Sequence, residues 1–292
     1  MSTPKSKRVS RTLAVVGVWL AFLALAEAGY RVIGWAPWIF PAPSHVLDAL
    51  LTMLNQPTYF GEPLHPGWPW QSEMFDAVEK ESVLSSPLAT ALPISGVRLM
   101  IGFIVALALG MGFGLAMWRF AFVDALLGPA FLGLQTLPSV CWVPLAVLVL
   151  GIDERGILFV LVMGSFFAIA IALRDGMRTV PPIYRTAGLM LGARRVRLYR
   201  DVLLPSSFPA LAGTLRQGFS FAWRSLMGAE LILLVQNRGL GFELGVGREF
   251  NDVARVVAVM IVMVAVGMAA DRFVFAVLER RVRMRFGLIA SA

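Results

Sequence analysis

Long apolar stretches without a charge alternate with short, arginine-rich connections along most of this chain. Thr12 to Ala26 is the first; Leu99 to Trp118 gives 20 uncharged residues, Ala125 to Ile152 gives 28, Ile157 to Leu173 gives 17 and Val256 to Ala270 gives 15. A sixth, Gln217 to Val235, is interrupted by Arg224 and Glu230. A helix needs about 20 apolar residues to cross the hydrocarbon core of a bilayer, so these runs predict an all-α integral membrane protein. Six helices are expected, at roughly 12–34, 91–117, 122–150, 157–174, 217–235 and 253–278. The third is long enough to be tilted or broken, and Pro129, Pro138 and Pro144 supply the breaks.

Seventeen of the 26 Lys and Arg residues fall in the N-terminal tail, the turn at Arg119, the segment 174–216 and the tail from Arg280. The positive-inside rule places these loops and both termini in the cytoplasm, and an even number of spans agrees. The expected organisation is a basic cytoplasmic tail (1–11), a first span (12–34), an external segment (35–90), a five-helix core (91–278) containing a cytoplasmic loop (175–215), and a second cytoplasmic tail (279–292). Six acids face one Lys in the outer loop, as suits an external position. Its Trp68, Trp70 and Phe75 are expected as interfacial anchors, the alternative being a lid or a docking surface. Lys5, Lys7, Arg8 and Arg11 ahead of an apolar run ending in Ala24-Leu25-Ala26 also resemble a signal peptide. The run resumes through Ala28, Tyr30, Val32 and Ile33, which favours an uncleaved helix, and Glu27 and Arg31 sit one turn apart in the favourable acid-first order.

Composition narrows the chemistry. With 58% hydrophobic and 15% charged residues, a soluble domain is excluded. One cysteine and two histidines cannot furnish a disulfide framework, a Cys-rich zinc site or an iron-sulfur cluster. None of the three lysines follows a glycine, so the phosphate-cradling Gly-Lys-Ser/Thr loop is missing and any ATP hydrolysis belongs to another chain. The net charge of +8 comes from arginines beside apolar runs rather than from a solvated basic face, which argues for membrane lipid as a neighbour and against nucleic acid. Gly102, Ala106, Gly110 and Gly114 form a small-residue stripe that predicts close helix packing in lipid.

The most informative stretch lies between the fourth and fifth spans. Pro181-Pro182 suits a helix start, Gly192 interrupts, and Pro205 limits continuation, so a short helix, a turn and a second helix are expected. By itself the cluster Arg194, Arg195, Arg197 and Arg200 reads as a basic surface on anionic headgroups. The order Thr186-Ala187-Gly188, three residues, Gly192-Ala193, and then Val202-Leu203-Leu204-Pro205 resembles the cytoplasmic coupling loop of binding-protein-dependent ABC importer permeases. That family usually has Glu at the position of Thr186 and Ala at that of Gly188. Ser95-Gly96-Val97-Arg98 with Gly102, Leu137-Pro138 through Pro144-Leu145 to Gly151-Ile152, Trp223-Arg224, Ala229-Glu230, Gly239-Leu240-Gly241, and Asp271 with Glu279-Arg280-Arg281 resemble the nitrate, sulfonate, taurine and bicarbonate branch.

The resemblance implies a type I ABC importer permease fold in the bacterial inner membrane. It further implies a second permease copy, most simply in a homodimer, two ATPase subunits that hold ATP and Mg, and a periplasmic or lipid-anchored solute-binding protein, with no cofactor on this chain. Coupling to the ATPase would then fall to Thr186, Ala187, Gly188, Gly192, Ala193, Leu204 and Pro205. For the translocation pathway of a small anionic solute the candidates are Arg98, Gln135, Ser139, Trp142, Arg224 and Glu230, since an ionisable group in lipid must face protein or water. Asp271 and Arg272 are expected to pair near the inner interface. An ion-coupled secondary transporter or channel is the alternative; it would want an ionisable relay within its spans and would not need the loop spacing.

Overall fold

The computed structural model describes residues 4–34, 36, 39–55, 86–194, 197–233 and 239–286, with the backbone alone for 4–13, 15, 16, 199 and 204. The external segment with Trp68, Trp70 and Phe75, and Arg195 of the basic cluster, lie outside the described residues. The principal helices are α1 (Pro4–Ile33), α2 (Pro43–Asn55), α3 (Pro87–Arg119), α4 (Ala121–Leu134), α5 (Val143–Leu150), α6 (Glu154–Arg178), α7 (Pro182–Met190), α8 (Phe208–Leu233), α9 (Leu240–Glu249) and α10 (Val253–Arg285). No strand occurs among the described residues.

By length and apolar composition α3, α6 and α10 can each cross a bilayer, and α4 with the segment Ser139–Leu150, bent by 103°, makes a broken span or a re-entrant loop. The remaining expected spans fall on α1 and on α8, whose length carries Arg216, Arg224 and Glu230. The break lies where Thr136, Leu137 and Pro138 leave the helix and a single 3-10 turn (Ser139–Trp142) leads to Pro144 at the start of α5. Pro129, by contrast, is accommodated inside α4: a proline removes one hydrogen bond and interrupts a helix only where nothing else supports it.

Two compact units are distinguished along the chain. The first comprises residues 1–90 and 243–262. Within it the Glu27 carboxylate accepts from Arg31 at 2.9 Å and from the Ser44 amide and hydroxyl, both at 3.2 Å, so the pair expected from spacing also fastens α1 to α2. Asn251 takes the left-handed conformation (φ 53°) that ends α9, and Asp252 then caps α10 by accepting from the Arg255 amide at 3.0 Å.

The second unit comprises residues 91–242 and 263–292. Its axis is α6, buried or half-buried at every position from Gly156 to Arg174, as befits a helix apolar nearly all round. The glycine stripe of α3 explains how α6 is approached. A methyl group at Gly102 would lie 2.6 Å from Leu161, one at Gly110 2.6 Å from Ile169, and one at Gly114 2.7 Å from the Ala170 carbonyl. From the other side Gly218 of α8 presses on the same Ile169. Small residues therefore set the spacing of three helices, because in lipid close van der Waals contact rather than water exclusion holds helices together. Aromatic rings fill the remaining space, Phe103 against Phe219 and Phe275, and Phe131 against Phe166 and Phe167.

Candidate functional site

The segment joining α6 to α8 begins with α7. Its C-terminus is a Schellman turn: Gly192 sits at φ +82°, its N–H donates to the Leu189 carbonyl at 3.1 Å, and the Ala193 N–H donates to the Gly188 carbonyl at 2.9 Å. A residue with a Cβ is strained at that dihedral, which is the physical reason for glycine here. Gly188 is the buried position of α7 and faces the next turn; a methyl there would come within 2.8 Å of Leu198 and 3.0 Å of Val202. The absence of a side chain at Gly188 thus lets α7 settle closely on its neighbour. That neighbour is a π-helical turn, Leu198–Leu203, rather than the second α-helix expected, and regular helix resumes at Leu204–Ser206 around Pro205. Thr186 and Ala187 are exposed, and the Thr186 hydroxyl donates to its own helix at the Pro182 carbonyl, 3.3 Å.

The outer face of α7 is apolar. Ile183, Met190 and Leu191 are 70, 82 and 87% exposed, at a spacing that brings them with Ala187 onto one side of the helix. Arg194, Arg197 and Arg200 are exposed beside it.

The break between α4 and α5 holds three expected pathway residues. Gln135 lies at the α4 C-terminus, half-buried, with its backbone N–H on the Phe131 carbonyl at 2.9 Å. Ser139 opens the 3-10 turn and reaches α6 and α8 at Gly164, where an added methyl would meet Ser139 at 2.8 Å and also overlap Ser225. Trp142 stacks on Phe167 with ring centres 6.1 Å apart, and its buried Nε1 has no partner among the described residues. Gln135 also lines a cavity of about 340 Å³ between α4, α6 and α8, together with Asp175, Gly176, Gly213, Thr214 and Gln217. Gln217 and Arg224 both lie on the exposed stripe of α8, two turns apart. Arg224 bonds the Ser220 carbonyl at 3.0 Å and covers the Phe221 ring at 4.7 Å.

Arg98 and Glu230, named from sequence as separate pathway residues, are brought together. Arg98 Nη1 donates to Glu230 at 2.8 Å, and Nε, at 2.7 Å, and Nη2 both donate to Glu154. Glu230 also accepts from the Ser95 hydroxyl at 2.8 Å and from the Gly241 amide at 2.9 Å, while Ser95 Oγ accepts from the Leu240 amide at 2.9 Å. Arg98 is 3% and Glu230 1% exposed. Methyl groups at Gly239 and Gly241 would overlap the Glu230 side chain. The Gly-Leu-Gly motif is thereby explained: its two glycines let the start of α9 close over a carboxylate. Glu154 is the member that sequence spacing does not point to, standing 56 positions from Arg98, and Ser95, which shares a motif with Arg98, reaches Glu230 from 135 positions away.

Asp271 pairs with Arg216, at 2.6 and 2.7 Å, and not with Arg272 as sequence adjacency suggested. Successive helical residues point in different directions, and Arg272 is exposed. Arg216 also reaches Glu279 at 3.1 Å. Asp124 of α4 accepts from Arg174 at 3.2 Å and Arg178 at 2.6 Å, joining α4 to the last turns of α6.

An apolar helical bundle with internally paired charges and broken helices defines a multi-pass membrane protein. Residues 106–284 match the family described as binding-protein-dependent transport system inner membrane component, and the chain belongs to it. It is 31% identical over 175 residues to an ABC transporter permease protein of Methanocaldococcus jannaschii, a stretch that covers 60% of this chain and 65% of that relative. To the taurine transport system permease protein of Escherichia coli it is 27% identical over 273 residues, 91% of this chain and 89% of the relative. To the nitrate import permease protein of Synechocystis it is 28% identical over 177 residues, 61% of this chain and 64% of the relative. The resemblance to the nitrate, sulfonate, taurine and bicarbonate branch of ABC importer permeases is therefore one of the whole core, not of the loop alone.

Proposed function

We propose that this chain is the membrane-spanning subunit through which a small oxyanion-bearing solute, of the nitrate, sulfonate, taurine or bicarbonate type, enters across the bacterial inner membrane. Two copies form the pathway, an external binding protein delivers the solute, and two separate ATPase subunits dock on α7 and drive the cycle. Both termini and the α7 segment lie on the cytoplasmic side. The observation that carries this reading is the outer face of α7, where Ile183, Met190 and Leu191 stand exposed on a helix held rigid by the Gly192 turn. Apolar residues kept in water at that density call for a protein partner. An ATPase that closes on ATP would move the segment as a body and change which side of the bundle is open.

Among the pathway candidates, Arg224 and the residues of the α4–α5 break are on accessible faces, whereas Arg98 and Glu230 serve each other. An ion-driven carrier needs a carboxylate that takes and releases a proton; Glu230 instead accepts from Ser95, Arg98 and Gly241 at once. The test uses the complex reconstituted with its ATPase and binding protein. Met190→Glu together with Ile183→Glu should leave the permease inserted and lower solute-stimulated ATP hydrolysis by at least about tenfold, because charges would have to be buried at the docked face. Full stimulation in this double variant would end the coupling assignment.

A further inference from the structure

The last turns of α10 carry Arg280, Arg281, Arg283 and Arg285, all exposed. The acid beside them, Glu279, is already shared: one oxygen accepts from Arg216 at 3.1 Å and the other pairs with Arg283 at 2.5 Å. Arg281 and Arg285 have no hydrogen bond or ion pair among the described residues. They stand four apart on regular α-helix, a spacing that sets like charges side by side and destabilises a bare helix. An anion held between them removes that repulsion, and two guanidinium groups one turn apart can share the oxygens of a single phosphate.

On the same side of the helix the residues that come before are apolar. Leu278 precedes Arg281 by three positions and Arg285 by seven, so the three lie on one face, and Val277 adjoins it. Val277 and Leu278 are exposed, as are Phe273 and Val274 in the π-helical turn that precedes them. Because about 20 residues cross the hydrocarbon core, a span that begins after Arg255 ends at about Ala276. Arg281 then stands about one turn farther on, level with the lipid headgroups. Side chains on a helix lean toward its N-terminus, which here inclines both arginines back toward the bilayer.

We propose that this end of α10 binds an anionic phospholipid, its phosphate on Arg281 and Arg285 and the start of an acyl chain along Leu278 and Val274. Charge and order together select that occupant. A soluble phosphate has nothing to lay on the apolar residues, a protein partner would have to reach Val274 at membrane depth, and the ammonium of a zwitterionic lipid opposes the arginines. A lipid of net negative charge meets all three demands, as basic clusters next to a span generally do with anionic headgroups. The proposal depends on α10 crossing the bilayer and goes beyond the permease reading, since neither the transported solute nor ATPase docking on α7 enters it.

The test reads which lipid occupies this one position on the full-length chain. A bimane fluorophore is attached after Val277→Cys, with Cys141→Ser to remove the exposed native thiol. The protein is placed in phosphatidylcholine bilayers holding equal fractions of either spin-labelled phosphatidylglycerol or spin-labelled phosphatidylcholine, and quenching gives their relative affinity. Phosphatidylglycerol should be preferred by at least about fivefold, the attraction of one arginine near a membrane surface. Arg281→Gln and Arg285→Gln should each lower the preference and together abolish it, whereas Arg283→Gln, whose guanidinium already has Glu279, should leave most of it. Quenching by the phosphatidylcholine probe should be the same in every variant, because residue 277 keeps its depth. Equal quenching by the two lipids in the parent chain, or an undiminished preference in the double variant, would overturn the proposal. So would loss of the preference when millimolar inorganic phosphate replaces chloride at constant ionic strength, which assigns the arginines to a soluble anion, or when ATPase subunits are added, which assigns them to a protein.

Discussion

The α7 face and the Glu230 cluster invert the usual arrangement of residues in opposite ways. On α7, Ile183, Met190 and Leu191 are apolar and exposed; around Glu230, Arg98 and a carboxylate are charged and buried. Each inversion has a cost that something must offset. At the cluster the offset is internal: one guanidinium meets two carboxylates, a hydroxyl and a backbone amide complete Glu230, and the two glycines let the chain close over it. On α7 nothing within the described residues covers the apolar face. A region that balances itself can hold the fold with its own contacts, whereas the proposed docking of an ATPase would supply what the α7 face lacks.

Removing one partner from the cluster should have the largest effect on stability. Arg98→Leu leaves two carboxylates facing each other without their cation, and breaking such a buried pair costs about 3–5 kcal/mol. Tryptophan fluorescence during thermal unfolding in detergent should show a large loss of stability, and Glu230→Gln, which keeps the shape and the acceptor oxygen, a smaller one. A wild-type unfolding profile for Arg98→Leu would mean that the cluster is not what joins α3, α6 and α8.

Gly239→Ala comes next. Its methyl must displace the Glu230 carboxylate, and overpacking of this kind costs about 1–3 kcal/mol. The same assay reads it, and combining Gly239→Ala with Glu230→Ala should cost less than the sum of the two changes, because the second removes the group that the first collides with.

Gly192→Ala should have the smallest effect on stability. The added Cβ meets no atom within 4 Å, so the cost is the left-handed backbone alone, about 1–2 kcal/mol and confined to the end of α7. Amide hydrogen exchange should rise in residues 186–194 and stay unchanged in α8. Coupling should nonetheless fall, since a frayed α7 transmits less of an applied displacement. If exchange rises in α8 as well, the α7 turn belongs to the packed core and the contrast between the two regions is lost.

Much of this was legible in the chain. Uncharged runs located the long helices, Pro138 and Pro144 located the break, and the α3 glycines announced close packing, because each depends on residues near in sequence and on the solvent that surrounds them. The turn at Gly192 was legible for the same reason. The π-helical turn at Leu198–Leu203 was not, since the residues there suit an α-helix and the packing of Gly188 against Leu198 and Val202 accompanies the wider turn.

What the sequence determined by itself was which residues had to find partners: an arginine at 98 and acids at 230 and 271, each too polar to face lipid. Which partners they found was decided only by the tertiary structure. Glu154 and Glu230 stand 56 and 132 positions from Arg98, and Arg216 stands 55 from Asp271. The physical reason is that an ion pair acts over a few ångströms of space, and distance along the chain carries no information about it once helices have packed.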